Sequence, residues 1–498
     1  MSKQDPHAWR VRAPYFIPYD GNEESEESKY TDGTNGGSTS SSRPRTKSTT
    51  VRVNSTTVRR IRPTRYVPAD PTPFLRTETD REALLRREDD EPQRLFNNRN
   101  EAYFLPSDDA EFQRLEHQHN AFTVGLGGLY PCPEVVQDVL APVEGVKKAV
   151  LDLGCGTGAW MLAMAQEFPH ATFLGVDLIP CPHPTSDIPQ NCMFEIDDIN
   201  KGLEHFEGQF DLVHARCITF GISNYRKTME EISLCLKPRG LAIFIEADLD
   251  LLAEDRTTIL PIALTDKEIR EAIARSEQKG LTLSEAEKAS LGEGAWLQRI
   301  AYEVVYSATL NGSDIPGAEE AVDEGLWRMN MFDPALCGAS SVFTPVTPWP
   351  RMRDPEQSQK VKYAGSLMRQ DAHNALRAFH PLLRKYGVSQ SIIDQWTAAA
   401  DWELTSQKFR CWTRLRVAWG RRKQRKERGS PSGHSTEPST SPSPSSSGTK
   451  GQQFLLHQVE VYNSREEALS AKEARLSTRD PRPLPFVARL ARGESIAL

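Results

Sequence analysis

The stretch Val150 to Gly158, VLDLGCGTG, decides how this chain is read. It is an apolar run ending in glycines at alternate positions, Gly154, Gly156 and Gly158, with Asp152 just ahead of them. Ala149 to Leu153 is short, apolar and β-prone. Ala159 to Phe168 has helical spacing, with Trp160, Leu162, Ala163, Ala165 and Gln166 before Pro169. A buried strand, a glycine turn and a helix set a nucleotide-like ligand against backbone amides. Glycine suits the turn because the ligand comes close to the main chain and the backbone there takes positive φ.

Three ligand classes use such a turn. A phosphate-binding loop needs Lys and then Ser or Thr after the last glycine. Ala159 and Trp160 stand there instead. A dinucleotide fingerprint accepts Gly154, Gly156 and Ala159, so spacing alone leaves NAD open. The third class is S-adenosylmethionine (SAM), whose acid-x-Gly-x-Gly-x-Gly form is matched by Asp152, Gly154, Gly156 and Gly158.

The next elements extend the pattern. Thr172 to Leu178, TFLGVDL, reads as a second buried strand ending in Asp177, where an acid accepts both ribose hydroxyls. Cys192 to Ile196 reads as a third strand, followed by Asp197, Asp198 and Ile199. A carboxylate at that point accepts the exocyclic amine of adenine. Phe210 to Ala215 is a fourth strand, and Leu236 to Glu246 is a turn leading into a fifth. Helical stretches such as Tyr225 to Leu236 alternate with the strands. The expected fold is therefore α/β, a mostly parallel sheet with helices on both faces. A lone Asp after a strand is ordinarily a turn former. Acids at successive strand ends beside a glycine turn make a ligand site.

These motifs resemble those of class I SAM-dependent methyltransferases. VLDLGCGTG stands as the first motif, and FLGVDL, FEIDDI, FDLVHAR and LKPRGLAIFIE as the following ones. More narrowly, the chain resembles the fungal LaeA-like branch. That match is carried by YFLPSD (Tyr103 to Asp108) with Glu111, Arg114 and Leu115, by His117, Gln118 and His119, by SVFTPVTPWP (Ser341 to Pro350) and by VAWGRRK (Val417 to Lys423). The resemblance covers about 98–423, with an apparent insertion around Thr282 to Asp314 and a tail after Gly429. It implies a Rossmann-like, seven-stranded sheet with an antiparallel last strand. It also implies a helical substrate cover over about 255–335 and 354–406, SAM as cofactor, and methyl transfer to an acceptor the sequence does not name, a small molecule or a protein. The implied cofactor contacts are Tyr103, Asp152, Gly154, Cys155, Gly156, Thr157, Gly158, Asp177, Leu178, Asp197, Asp198, Ile199 and His214. Tyr103 is expected to close over the cofactor, with Arg114 and His119 as candidates for its carboxylate.

Methyl transfer from a sulfonium is an in-line displacement, favoured by close approach and a dry site. A base is needed only where the nucleophile is protonated. His214 and Arg216, expected just past the fourth strand, are the candidates to meet a substrate. The Asn/Asp-Pro-Pro-aromatic motif of many amino-methylating enzymes is absent. Cys181, His183 and Cys192 lack a fourth ligand nearby, so no metal is expected. Two rival functions stand beside methyl transfer: a regulatory or interaction module with this fold and little turnover, and a NAD-dependent oxidoreductase. Asp152, Gly158 and the LKPRG turn argue against the oxidoreductase.

Composition adds context. Eight cysteines are scattered among 498 residues without a disulfide framework. No run of apolar residues is long enough to span a membrane. The stretch 1–95, with its Ser/Thr/Gly/Glu-rich run Asn22 to Thr50, and the Ser/Pro run 427–450 read as disordered, because they bury too little to offset ordering entropy. The tail 451–498 holds a candidate strand, Gln452 to Tyr462, and a candidate helix, Ser464 to Leu476. Arg43 to Arg65 carries eight basic residues and no acid, and Lys408 to Arg428 carries ten with one acid, against a net charge of −7. The body is thus strongly acidic, which disfavours duplex nucleic acid as a partner. Arg421 to Arg428, RRKQRKER, resembles a nuclear localisation cluster. An intracellular protein of the cytoplasm or nucleus is expected, with a regulatory protein partner as a further expectation. Phe409 to Trp419 alternates with period two and reads as a half-buried last strand. Asp266 to Lys279, Leu291 to Leu310, Ala318 to Phe332 and Asp354 to Tyr386 read as cover helices, with Trp327, Met329, Met331 and Phe332 as candidate pocket lining.

Overall fold

A computed structural model of the chain describes residues 85–88, 91–183, 185–262, 295–406, 409–424, 459–477 and 482–492. A short antiparallel hairpin, β1 (Leu85–Glu88) with β2 (Glu91–Asn97), comes first. It overlaps the end of the stretch that the sequence reads as disordered. Two contacts tie it down: Arg94 pairs with Asp108 at 2.6 Å, and Ser107 N donates to Leu95 O. The run Asn22 to Thr50 lies outside the described residues.

Asp108 then caps α1 (Asp109–Leu126) by accepting from Glu111 N. After α2 (Pro133–Leu140) the chain enters the expected unit, β3 (Lys148–Leu153), the glycine turn, and α3 (Ala159–Glu167). Next come β4 (Ala171–Asp177), β5 (Cys192–Ile196), β6 (Phe210–Arg216), α4 (Tyr225–Cys235) and β7 (Leu236–Ala247). These five strands are parallel, in spatial order β7-β6-β3-β4-β5. Strand order reverses between β3 and β6, so their C-terminal ends diverge and leave a crevice.

Alternation along β3 sets up both cores. Val150 packs with Trp160, Met164 and Phe122 on one face, while Leu151 and Leu153 pack with Tyr225, Met229 and Ile232 on the other. The run is apolar throughout because helices cover both faces.

The remaining described chain builds the cover and widens the sheet. It runs through α5 (Trp296–Leu310), α6 (Ile315–Asp323), β8 (Phe332–Pro345), α7 (Pro355–Ala378), α8 (His380–Lys385), α9 (Gln390–Ser406) and β9 (Trp412–Arg422). The tail then supplies β10 (Val459–Tyr462), α10 (Arg465–Ser477) and α11 (Phe486–Ala491). The sheet has eight strands, not seven, in order β10-β8-β9-β7-β6-β3-β4-β5. The eighth is β10, antiparallel to β8, with Val459 opposite Val342 and Tyr462 opposite Ala339.

Three expectations are corrected here. β9 is not half-buried: it lies between β7 and β8, and both its faces are covered. Arg414 and Arg416 are buried because Asp248, Asp323 and Glu319 meet them. The helix expected over Ala318 to Phe332 stops at Asp323, and Phe332 opens β8. Finally, Trp327, Met329, Met331 and Phe332 do not line the crevice cavity described below: Trp327 packs by Tyr462 and Ala468, and the other three join the core under β6 and β7. The helix expected at Asp266 to Lys279 lies outside the described residues. Among the described residues no helix is long and apolar enough to cross a membrane.

One buried acid in the cover gives a stability test. Glu403 on α9 accepts from the N–H groups of Trp296 and Leu297, both at 2.9 Å, and so caps α5. Burial raises its pKa to about 7 against those two hydrogen bonds. A raised carboxyl pKa favours folding below the unfolded value, ~4.3, and that contribution is lost as pH rises through the folded one. The thermal midpoint should therefore fall between about pH 5 and about pH 8. Glu403→Gln should flatten part of that slope. An unchanged slope in a folded Glu403→Gln protein counts against this role.

Candidate functional site

The crevice beyond β3 and β6 holds a cavity of about 830 Å³, including its open mouth. Sites for cofactor-sized molecules run to ~300–1,000 Å³. Four segments supply most of its wall: the glycine turn, the ends of β4 and β5, the segment after β6, and α1 with the loop before it.

The turn contributes Gly154, Cys155, Gly156 and Thr157. Gly154 N and Cys155 N both donate to Val176 O, which pins the turn to the end of β4. Gly156 N donates to Asp177 Oδ2 at 2.8 Å. Asp177 and Leu178 line the cavity. Burial raises the Asp177 pKa to about 6, against hydrogen bonds from the Gly156, Ile179 and Leu178 N–H groups. Its carboxylate thus holds the turn and faces the cavity together.

At the end of β5, Asp197, Asp198 and Ile199 also line the cavity. Asp198 Oδ1 accepts from Asn200 N and Nδ2, both at 3.1 Å, and from Asn100 Nδ2 at 3.3 Å. Asn100 is buried and bridges Asp198 to the carbonyl of Gly221 at 2.8 Å. Tyr103 lines the same space, and burial with the charges of Glu111 and Asp177 keeps its phenol protonated. Asn100, Leu115, Gln118, Cys217, Ile218, Gly221 and Ile222 are lining residues that the motif reading missed.

Three expected contacts do not line the cavity: Asp152, Gly158 and His214. Asp152 and His214 lie opposite each other in the β3–β6 register and join through His214 Nδ1 and Asp152 Oδ1 at 2.7 Å. The His214 ring stacks on Trp160, with centroids 3.7 Å apart and planes 12° apart. Burial lowers its pKa, opposed by Asp152. β6 runs through Arg216, so His214 is inside the strand, and alternation turns it toward α3 rather than outward. Gly158 caps α3, and a Cβ there would stand 2.7 Å from the Phe194 ring.

Arg114 is also reassigned. It is buried between Glu111 at 2.7 Å and Asp371 of α7 at 2.6 Å. Both carboxylates hold its guanidinium, and it does not line the cavity. Arg216, in contrast, lines the cavity. Its Nη2 lies 3.1 Å from His119 Nδ1 on α1. The next residue, Cys217, takes a left-handed backbone with φ 56, which turns the chain sharply along the cavity wall.

Neither His119 nor Cys217 is a ready base in this cavity. Burial, with the Arg216 charge beside it, lowers the His119 pKa to about 3. Burial and the nearby Glu246 push the Cys217 thiol up to about 12. Cys181, His183 and Cys192 do not come together with metal-ligand spacing. Among the described residues the grouping with metal-ligand spacing is instead Glu195, Asp197 and His205, partly exposed beside β5.

Residues 129–311 match the family described as a methyltransferase domain. The chain is similar to "Secondary metabolism regulator laeA" of Coprinopsis cinerea, 42% identical over 168 residues, 34% of this chain and 41% of that one. It is similar to "Methyltransferase str3" of Strobilurus tenacellus, 31% identical over 147 residues, 29% of this chain and 49% of that one. It is also similar to "Protein-methionine methyltransferase laeA" of Emericella nidulans, 30% identical over 156 residues, 31% of this chain and 39% of that one. The chain thus spans less than half the length of these relatives.

Proposed function

We propose that this chain, which carries a class I methyltransferase domain of the LaeA-like fungal branch, binds SAM in the crevice and directs its methyl group to an acceptor. The observation that carries this reading is the cradle. The glycine turn, Asp177 and the Asp198–Asn100 pair face one cavity, at the point where strand order reverses. The residues fit the cofactor. Asp177 supplies acceptors for ribose hydroxyls, and Asp198 one for an adenine amine. The turn leaves room for a thioether-linked chain, because a Cβ on Gly156 would lie 3.4 Å from Leu115 and further atoms would enter the cavity.

When bound, SAM supplies an electrophilic methyl group on a cationic sulfur. The chain's own work is to orient it and to exclude water. Tyr103, Leu115, Cys217 and Ile218 wall the cavity, with His119 kept neutral. Such a lining supports an acceptor whose nucleophile has no proton to lose. A methionine thioether is of that kind, in keeping with the printed name of the Emericella nidulans relative. A second reading is a SAM-binding regulatory module with little turnover, in keeping with the printed name of the Coprinopsis cinerea relative.

Labelled SAM incubated with the protein and cell extract separates the two. Label appearing on protein or a small molecule supports transfer; tight SAM binding with no label transferred supports the module. Calorimetry with NAD tests the oxidoreductase rival. For the cradle, Asp177→Ala should weaken S-adenosylhomocysteine (SAH). Hydrogen bonds to a charged group contribute about 1.5–3 kcal/mol, which is roughly 10- to 100-fold in affinity. Binding should also weaken as pH falls through about 6, as the raised Asp177 carboxyl takes up its proton. A folded Asp177→Ala protein that binds SAH like the wild type places the ribose elsewhere.

A further inference from the structure

We infer that Arg216 and His119 form a clamp for a carboxylate, the one at the methionyl end of the cofactor. The inference rests on the SAM reading above. Buried arginines elsewhere in this fold are paired with acids: Arg114 with Glu111 and Asp371, Arg414 and Arg416 with Asp248, Arg299 with Glu303. Arg216 differs. Among the described residues no carboxylate comes within ion-pair distance of it, although it lines the cavity. Asp152 and Glu116 act on its charge only at longer range.

Its partner fixes the chemistry of the pair. A guanidinium only donates, so His119 Nδ1 accepts at 3.1 Å and the imidazole proton sits on Nε2. Burial and Arg216 lower the His119 pKa to about 3, which keeps this tautomer neutral through ordinary pH. The wall therefore presents a cation and a neutral N–H donor side by side. A carboxylate satisfies both, and the planar fork of Arg suits its two oxygens.

An acidic group on the acceptor would offer the same chemistry. The cofactor is favoured by position. Ile218, two residues past Arg216, packs on the glycine turn so closely that a Cβ on Gly154 would stand 2.5 Å from its Cγ2. Gly154, Cys155 and Gly156 share the cavity with the pair. The sequence offered Arg114 and His119 for this role; His119 lines the cavity, and Arg216 stands beside it where Arg114 does not.

The test uses calorimetry with two ligands: SAH, and its decarboxylated analogue, which keeps the adenosine, the thioether and the amine. Wild-type protein should bind SAH about 10-fold more tightly than the analogue, the size of one charged hydrogen-bonded contact. Arg216→Gln should lose about 10-fold for SAH and nothing for the analogue, so that the two ligands become equal. Arg216→Lys should keep part of the preference, since charge remains without the fork. Unchanged analogue binding shows that each variant is folded. Equal losses for both ligands would make Arg216 structural and overturn the inference. A wild-type protein that does not discriminate would assign the clamp to an anionic acceptor and overturn it too. Failure of the wild type to bind either ligand refutes the cofactor reading itself.

Discussion

Gly156→Val is expected to abolish binding of SAM and SAH while leaving the protein folded. Three positions in the turn are glycine, and they are not equivalent. A Cβ on Gly154 would stand 2.5 Å from Ile218, and one on Gly158 would stand 2.7 Å from Phe194. Substitution at either disturbs packing before it tests a ligand. At Gly156 the nearest side chain to a new Cβ is Leu115 at 3.4 Å, so the atom fits with a small adjustment. The backbone there has φ +55, which costs a branched residue about 1–3 kcal/mol. The two methyl groups of valine would then occupy the cavity itself. A loss of more than ~100-fold in SAH affinity, about 2.7 kcal/mol, is expected by calorimetry. Thermal unfolding should show a lowered but cooperative transition. A folded Gly156→Val protein with wild-type affinity would mean that the ligand does not approach this turn.

The largest expected loss of stability comes from Asp248→Ala. Asp248 follows β7 and accepts from Arg414 and Arg416, with Oδ2 and Oδ1 each at 2.8 Å from a guanidinium. All three side chains are buried. Burial alone would raise the Asp248 pKa; Arg416 and Arg414 outweigh it and hold the carboxyl below the usual range. Removing one member of a buried ion network leaves charge uncompensated and costs about 3–5 kcal/mol. Asp323 still reaches Arg414 at 2.8 Å, which places the loss at the lower end. Urea unfolding of Asp248→Ala against wild type measures it, and a loss below ~1 kcal/mol would contradict the network's role. The pH sense is also fixed. A depressed carboxyl pKa stabilises fully above the unfolded value, ~3.9, and fails only as pH falls through the folded one.

The cradle was legible because its parts are local. A strand, its glycines and the following helix lie within twenty positions, as do each strand and the acid at its end, and periodicity reads them directly. The opposite wall was not. Asn100 reaches Asp198, and His119 meets Arg216, only because α1 folds over the sheet from far away in sequence. Arg114 and Arg216 look alike in a sequence. Their difference lies in Asp371, a residue of α7 that no motif connects to α1. His214 was misplaced by its depth along the strand, not by its face: His214 and Arg216 share one face of β6, but only Arg216, at the strand's last position, reaches the cavity, while His214 lies one residue pair deeper against Trp160. The alternating arginines of β9 looked solvent-facing. Their carboxylate partners come from the segment after β7 and from α6, and β8 closes the far side.

The pairing of β10 with β8 has a bearing on any shortened form of this protein. A chain ending at 424 would keep β8 but strip its outer neighbour from Ala339 to Val342. That would uncover a row of backbone donors and acceptors flanked by apolar side chains, open to recruit the same edge of another molecule. Arg475 and Arg482 would leave with the tail, and the acids they meet, Asp323 and Asp250, would face water. The tail thus acts as a guard on the sheet: with it the border is the four-residue β10, with Arg475 and Arg482 set against Asp323 and Asp250, and without it the much longer β8 becomes an adhesive edge.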